Sequence, residues 1–401
     1  MSVRAAKTGN LPKEFALAAA CAIWPPSERR VEAVRRAAAE VEDWGRFRRV
    51  VARHRIVGLA YDGIVAARLE PPPPVLGALR GDAQALARQS LGMAAEAIRL
   101  RHAFADAGIP VAFLKGATLA MLAYGSLGIR HSKDIDVLVP EECVAAAAAT
   151  LSQRGYARTA PRADVSGRRL QIWMKRFKHF TFRHGERGIE VGLHWRLSDN
   201  PLLAQVPAPQ SWREVPIAGL ASLPTLDRDD LFAYLCIHGA YHAWFRLKWL
   251  ADIGALLEAA PHGEAQRLLS GTASRDAARP AAQAALLAQR VLGTTLTPSP
   301  VPRDDRVVPW IVTMAFAAMT RGDGELEPQQ LAFGSILIKA SEYLLKGWRF
   351  KLAQAGRDFV SFEDWQLVPL PDRYVFLYPL LRLPLWLWRH AVLRHRGRPQ
   401  S

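Results

Sequence analysis

The chain is poor in cysteine and lacks long apolar runs. Only Cys21, Cys143 and Cys236 occur among 401 residues, and no two of them form a Cys-x-x-Cys pair. They predict neither a disulfide framework nor a structural zinc site, and they favour a reducing cytoplasm. No segment reaches the roughly 18 uncharged apolar residues that a membrane-spanning helix needs. The short run FALAAACAIW predicts a buried first helix rather than a signal-peptide core.

Acidic residues are also scarce. Asp and Glu number 37 against 53 Lys and Arg, which gives a formal net charge of +16. This charge favours polyanionic neighbours such as nucleotides, nucleic acid or an anionic membrane, although an Ala- and Arg-rich composition produces a similar excess without a functional cause. The chain has neither a Gly-x-Gly-x-x-Gly run nor a recognisable Ser-His-Asp pattern, which argues against dinucleotide-binding and hydrolase functions.

Half of the residues are apolar, and their spacing changes along the chain. Spacing of three and four residues predicts helices over 28–68 and 76–106. From 109 onward, IPVAFL, ATLAMLAY and DIDVLV predict a strand, a helix and a strand, and EECVAAAAATLSQRG predicts a further helix. RFKHFTFRH and IEVGLHWRL predict a hairpin. A proline-containing loop is expected over about 199–225, followed by helices to about residue 348.

These patterns predict an α+β protein with a small mixed β-sheet. The sheet belongs to a core over residues 107–200. An N-terminal helical region over 1–106 and a C-terminal helical region with a basic tail over 201–401 flank this core. We therefore expect the chemistry to reside in the central segment.

Two aspartates in DIDVLV are the strongest candidates for chemistry. Asp134 and Asp136 are two residues apart in a predicted strand, so both carboxylates project from the same face, roughly 6–7 Å apart along the chain. Two crowded carboxylates repel each other unless a cation joins them. Magnesium prefers oxygen ligands and leaves positions open for phosphates, so the pair predicts a Mg²⁺ or Mn²⁺ site.

The segment LKGATLAML predicts a phosphate-binding turn close to this pair. Lys115, Gly116 and Ala117 lie between a strand and a helix, where free backbone N–H groups suit an anion. We expect Arg130 to bind a triphosphate bidentately, with Ser132 and Lys133 close to the metal pair. In the alternative interpretation, Gly116 only permits a tight turn and Arg130 pairs with a nearby carboxylate.

The segments LKGATLAML and GIRHSKDIDVLV resemble the uncharacterised nucleotidyltransferase family within the DNA polymerase β superfamily, and GLHWRL and LFAYLCIHGAYHAWFRLKWLADIGALL extend the similarity. This resemblance implies transfer of a nucleoside monophosphate from an NTP such as ATP, with release of pyrophosphate. It also implies a third carboxylate on a neighbouring strand. Family members commonly carry an acid before Leu-His-Trp, where this chain has Gly192. Glu190 is the expected substitute, either as the third metal ligand or as the base.

Other residues have weaker claims to function. His238 and His242 lie one helical turn apart and, with His194 and Arg246, form a possible acceptor pocket; equally, they are packing residues between the helical region and the sheet. The acceptor is a small molecule, a peptide, a protein or an RNA. The departure at Gly192 keeps a second hypothesis open, a catalytically degenerate protein that binds a nucleotide or a partner.

A third possibility concerns the aromatic, basic C-terminal segment. Its arginines could contact an anionic membrane, although a terminal segment packed on the helical region with a solvated tail explains it as well. The arginines in question are Arg389, Arg394, Arg396 and Arg398.

Overall fold

A computed structural model describes residues 11–260, 263–296, 305–331 and 333–358, together with scattered residues between 364 and 388. The chain begins with a bundle in which the first helix contacts the next three. These helices are α1 (Lys13–Cys21), α2 (Glu28–Ala38), α3 (Trp44–His54), α4 (Val57–Ala66) and α5 (Pro73–Asp106). The prediction of a buried first helix is confirmed, because seven of its nine residues are buried.

The helical structure predicted over 28–68 is confirmed as three helices, α2 to α4, with two breaks between them. The Asp43 side chain accepts a hydrogen bond from the backbone N–H of Arg46 at 2.9 Å and so starts α3. Arg55 has φ 56° and ψ 44°, a left-handed conformation that ends α3. These local terminators override an apolar periodicity that runs on through both breaks.

A five-stranded sheet forms the centre of the protein. Its strand order is β1-β2-β5-β4-β3, with β2 and β5 parallel and the other neighbours antiparallel. The strands are β1 (Ala112–Phe113), β2 (Asp134–Leu138), β3 (Tyr156–Ala160), β4 (His179–His184) and β5 (Glu190–His194), and the helices between them are α6 (Ala117–Tyr124), α7 (Val144–Gln153) and α8 (Gly167–Arg176). The predicted strand-helix-strand unit and the β4–β5 hairpin are confirmed; β3 and α8 had no matching prediction.

The loop predicted over 199–225 contains a second, two-stranded sheet. β6 (Arg213–Ile217) and β7 (Ala221–Thr225) pair antiparallel, and their buried residues Val215, Ile217 and Leu223 join the core around the large sheet. Pro216 and Pro224 concealed these strands in the sequence. Proline is tolerated here because each strand has only one hydrogen-bonded neighbour.

Helices follow the second sheet. They are α9 (Arg228–Tyr241), α10 (Leu247–Glu258), α11 (Glu264–Gly271), α12 (Ala278–Leu287), α13 (Val308–Thr320), α14 (Gly334–Tyr343) and α15 (Trp348–Asp358). One large apolar cluster joins α9, α10, α12 and α13 to the N-terminal bundle. The mixed sheet with helices on both sides in sequence confirms the α+β class.

Two expectations concern membranes. Within the described part of the chain, none of the helices combines the length and the apolar composition that crossing a bilayer requires. The basic residues of the C-terminal tail, Arg389, Arg394, Arg396 and Arg398, lie outside the described residues, so membrane contact by the tail stays a prediction.

Candidate functional site

The candidate site lies on one face of β2, next to the turn that precedes α6. Asp134 and Asp136 alternate along β2 with Ile135 and Val137, whose side chains are buried in the core on the opposite face. Parallel pairing places Asp134 beside Glu190 and Asp136 beside Gly192 of β5. The sheet therefore brings the three predicted metal ligands to neighbouring positions on two strands.

Each oxygen of the Asp136 carboxylate has an interaction partner. The Lys115 ammonium lies 2.9 Å from Oδ2, and His194 Nε2 lies 3.1 Å from Oδ1. Burial alone would raise the pKa of Asp136, but the charge of Lys115 and the hydrogen bond from His194 outweigh it and hold that pKa well below its usual value. Asp136 is consequently an anion whose present counter-ion is Lys115.

Asp134 is in a different electrostatic state. The negative charge of Asp136, followed by burial, raises the pKa of Asp134, and this carboxylate has no hydrogen bond among the described residues. A raised pKa here reports repulsion between two adjacent carboxylates. A divalent cation between them would relieve that repulsion.

Gly192 sets the distance between β5 and Asp136. A Cβ atom at this position would lie 2.6 Å from Asp136 Oδ1 and 2.9 Å from His194 Nε2, so any side chain would displace their hydrogen bond. Since a carboxylate only accepts, Nε2 donates, and Nδ1 of His194 is left buried without a partner in the described structure. The hydrogen bond between Asp136 and His194 thus occupies the space that an acidic side chain at position 192 would need.

Glu190, the expected substitute for the third carboxylate, is partly exposed and lies near a basic side chain of the neighbouring strand. Its carboxylate is 33% exposed and lies 4.0 Å from Arg183 on β4. In register it stands beside Asp134 rather than beside Asp136. The three carboxylates share one sheet face, yet no group of three His, Cys, Asp or Glu side chains in the described structure is already arranged to hold a metal ion. Their oxygen donors suit magnesium, and Asp134 lies next to both of the others, with Asp136 on its own strand and Glu190 on the neighbouring strand.

The turn before α6 has the open backbone expected of an anion site. Gly116 has φ 72° and ψ −126°, which strongly favours glycine, and a Cβ there would meet no atom within 4 Å. Ala117 begins α6. Beside this turn lies a small cavity whose polar lining includes Lys115 and Asp134.

Arg130 is occupied by a carboxylate. Its guanidinium makes a bidentate contact with Asp252 of α10, with Nη2 at 2.9 Å from Oδ2, and Nη1 donates to Ser132 at 3.0 Å. Tyr124 donates to the same carboxylate at 3.0 Å. The sequence left two interpretations of Arg130, binding of a triphosphate or pairing with a carboxylate. In the structure Arg130 pairs with a carboxylate. Ser132 is buried beside it, and the Lys133 side chain is exposed.

The four residues of the possible acceptor pocket separate into three groups. His238 and His242 lie 4.9 Å apart between ring centroids, and His242 stacks on Trp249 at 5.3 Å. Burial keeps both rings neutral and lowers the pKa of His242 to about 3. His194 instead contacts Asp136, as described above.

Arg246 lies apart from these histidines at the start of α10. Its guanidinium pairs with Glu327 at 2.7 Å.

His194 stacks on His179 of β4, with 4.7 Å between the ring centroids. The sequence patterns did not single out His179.

Two cations near the site were also missed. Lys248 of α10 is close enough to Asp134 for its charge to lower the pKa of that carboxyl. Arg55, at the end of α3, acts in the same way on Lys248 and His131. The only available signal for Lys248 was its place in LKWLADIGALL, an otherwise apolar helix.

The mixed sheet, the glycine turn and the two aspartates of β2 are the features that the sequence analysis expected of a nucleotidyltransferase. The sequence model of a family described as an uncharacterised nucleotidyltransferase matches residues 40–293, which include every site residue named above from Arg55 to Asp252. The chain belongs to this family, and the resemblance drawn from its motifs is confirmed. No curated protein matches the chain at a significant level.

Proposed function

We propose that the protein transfers a nucleoside monophosphate from an NTP to an acceptor hydroxyl and releases pyrophosphate, with Mg²⁺ or Mn²⁺ at Asp134 and Asp136. Family membership supports nucleotidyl transfer in general. The observation that carries the metal-dependent form is the raised pKa of Asp134 beside the buried anion of Asp136. A site that crowds two carboxylates in this way favours a divalent cation.

The proposed reaction forms one bond and breaks one. The acceptor oxygen bonds to the α-phosphorus, the bond from that phosphorus to the bridging oxygen of the β-phosphate breaks, and the electron pair leaves with pyrophosphate. The acceptor proton passes to a base, for which Glu190 stays our candidate. A bound divalent cation supplies charge neutralisation and lowers the pKa of a coordinated hydroxyl. The chain contributes positioning and fixed charge.

The cavity beside Gly116 is the proposed place of the nucleotide. Its walls are largely apolar, as is usual for the lining of small-molecule sites. Ser90 of α5 lines it with a buried hydroxyl that has no hydrogen-bond partner in the described structure. A base or sugar hydrogen bond would satisfy that hydroxyl.

The acceptor side is proposed more broadly. His238 and His242 are neutral, aromatic-flanked rings on which the charges of Lys115 and Lys178 act, so they suit a hydroxyl-bearing acceptor, whether a small molecule, a peptide, a protein or an RNA. A cytoplasmic location stays part of this proposal.

A second function has one specific observation in its favour. Asp136 is fully satisfied by Lys115 and His194, and Gly192 supplies no third carboxylate. A protein of this kind would bind a nucleotide or a partner without transferring anything. Tight NTP binding without pyrophosphate release would distinguish it from the enzyme.

The test is transfer of label from α-³²P-labelled NTPs with Mg²⁺ or Mn²⁺ and acceptor-containing extracts. We expect Asp134→Asn and Asp136→Asn to abolish both label transfer and pyrophosphate release. Asp106→Asn is the matched control, since its carboxylate is 77% exposed at the end of α5. Transfer that persists in both site variants would refute the proposal.

A further inference from the structure

Two cations close to the aspartate pair already have a carboxylate partner. Lys115 binds Asp136 at 2.9 Å, and Arg130 binds Asp252 at 2.9 Å. An ammonium or guanidinium held in this way is largely neutralised, so it adds little attraction for a further anion. Two of the residues expected from the sequence to hold phosphates, Lys115 and Arg130, therefore do not carry free charge.

Lys248 is different. The one hydrogen bond of its ammonium in the described structure runs to the backbone carbonyl of His131 at 3.4 Å, which is long for a charged donor. Burial, followed by the charge of Arg130, lowers the pKa of Lys248 to about 7. A partly buried ammonium without a carboxylate partner is costly in the free protein.

Arg55 adds a second charge of the same kind. It lies at the C-terminal end of α3, where positive φ terminates the helix, and its guanidinium has neither a hydrogen bond nor an ion pair in the described part of the chain. Its charge acts on Lys248 and on His131. The backbone N–H of Leu247 at the start of α10 donates to His54 at the end of α3 at 2.9 Å, so these two helix ends meet and bring Arg55 and Lys248 to the same part of the protein.

We propose that Arg55 and Lys248 form a binding site for phosphate groups beside the aspartate pair. Phosphate oxygens supply the acceptors and the negative charge that both side chains lack, and arginine and lysine are the usual residues for that chemistry. The phosphates come either from the β and γ positions of the NTP or from a phosphorylated acceptor. The NTP source rests on the proposed function, whereas the anion site itself does not.

The first measurement is calorimetric titration of the full chain with inorganic tripolyphosphate in metal-free buffer. We expect Lys248→Met and Arg55→Met each to weaken binding about tenfold, as loss of one charge-assisted contact implies. Lys248→Arg should retain most of the affinity and guards against misfolding of the methionine variant. Arg48→Met is the matched control, because Arg48 is exposed on the same helix and, among the described residues, pairs with Asp82 alone.

Two further binding experiments distinguish the NTP from a phosphorylated acceptor as the source of the phosphates. Competition between ATP and tripolyphosphate for the site indicates the NTP tail. Binding of inorganic phosphate to the complex with a non-transferable NTP analogue indicates a phosphorylated acceptor. Both results support the anion site. Unchanged tripolyphosphate affinity in Lys248→Met and Arg55→Met, or no binding by the wild-type protein, overturns it. If these variants lose affinity and no NTP is ever transferred, the proposed function fails and the anion site stands.

Discussion

Replacing Lys248 by methionine should stabilise the folded protein near neutral pH, and the gain should shrink in alkali. The side chain is only partly open to solvent. Burial, and then the charges of Arg130, Arg55 and Lys115, lower the pKa of its ammonium from 10.5 to about 7, with Asp252 acting in the opposite direction. Methionine has a similar length and carries no charge, so it removes the cost of burying an ammonium.

The sign of the pH dependence follows from proton binding. Between pH 7 and 10.5 the unfolded chain holds a proton on Lys248 that the folded chain has released, so the stability of the wild-type protein rises across this window. Below pH 7 the folded state carries the whole cost of the charge. The interval from 10.5 to about 7 sets an upper limit of about 5 kcal/mol. Screening by solvent at a partly exposed site reduces our expectation to about 1–3 kcal/mol.

Urea denaturation followed by tryptophan fluorescence, at about pH 6.5 and about pH 10, measures this gain. We expect the full stabilisation of Lys248→Met at the lower pH and less than half of it at the higher one. Lys133→Met is the control, since Lys133 is an exposed lysine near the same aspartates and its loss should change stability by less than about 0.5 kcal/mol. An equal gain at both pH values, or a loss at the lower one, would refute the reasoning.

Three other substitutions test the site. Gly192→Asp should tighten Mn²⁺ binding about tenfold in an electron paramagnetic resonance titration, whereas Gly192→Ala should not, because both open the contact between Asp136 and His194 but only the first adds a ligand. Asp252→Asn should destabilise the fold by about 3–5 kcal/mol in urea, since it leaves the buried Arg130 charge without its partner; a change below 1 kcal/mol would contradict a buried pair. Lys115→Met should let Mn²⁺ bind more tightly in the absence of nucleotide, and an unchanged affinity would show that the ammonium does not compete with the metal.

The sequence predicts the elements of the sheet better than their neighbours in space. The alternation in DIDVLV and the hairpin before GLHWRL are local patterns, and both strands form where they were expected. The breaks at Asp43 and Arg55 depend on single residues that terminate a helix within a continuing apolar pattern. β6 and β7 were missed because their prolines are acceptable only in strands with one neighbour, a fact of topology rather than of local sequence.

The site was predictable only as far as residue types define it. Asp134 and Asp136 can be picked out from one short segment, because their chemistry depends on a spacing of two in a strand. The role of Gly192 depends on how closely Asp136 and His194 approach across the sheet, and no pattern along the chain reports that distance. The roles of Asp134 and Asp136 in the site stay predictions. The boundaries of the core, predicted at residues 106 and 200, also stay predictions.

A cation that is already paired with a carboxylate adds little attraction for a phosphate, whereas an unpaired cation can bind one. Arg130 and Lys248 are both basic residues close to Asp134 in the fold, but Asp252, 122 residues from Arg130 in sequence, neutralises Arg130. Lys248 lies four residues before Asp252 on the same helix and keeps only a backbone carbonyl. Because Arg130 occupies the Asp252 carboxylate, Lys248 is left without a carboxylate partner in the described structure. Helix α10 therefore contributes both a buried ion pair and one of the two cations of the proposed anion site.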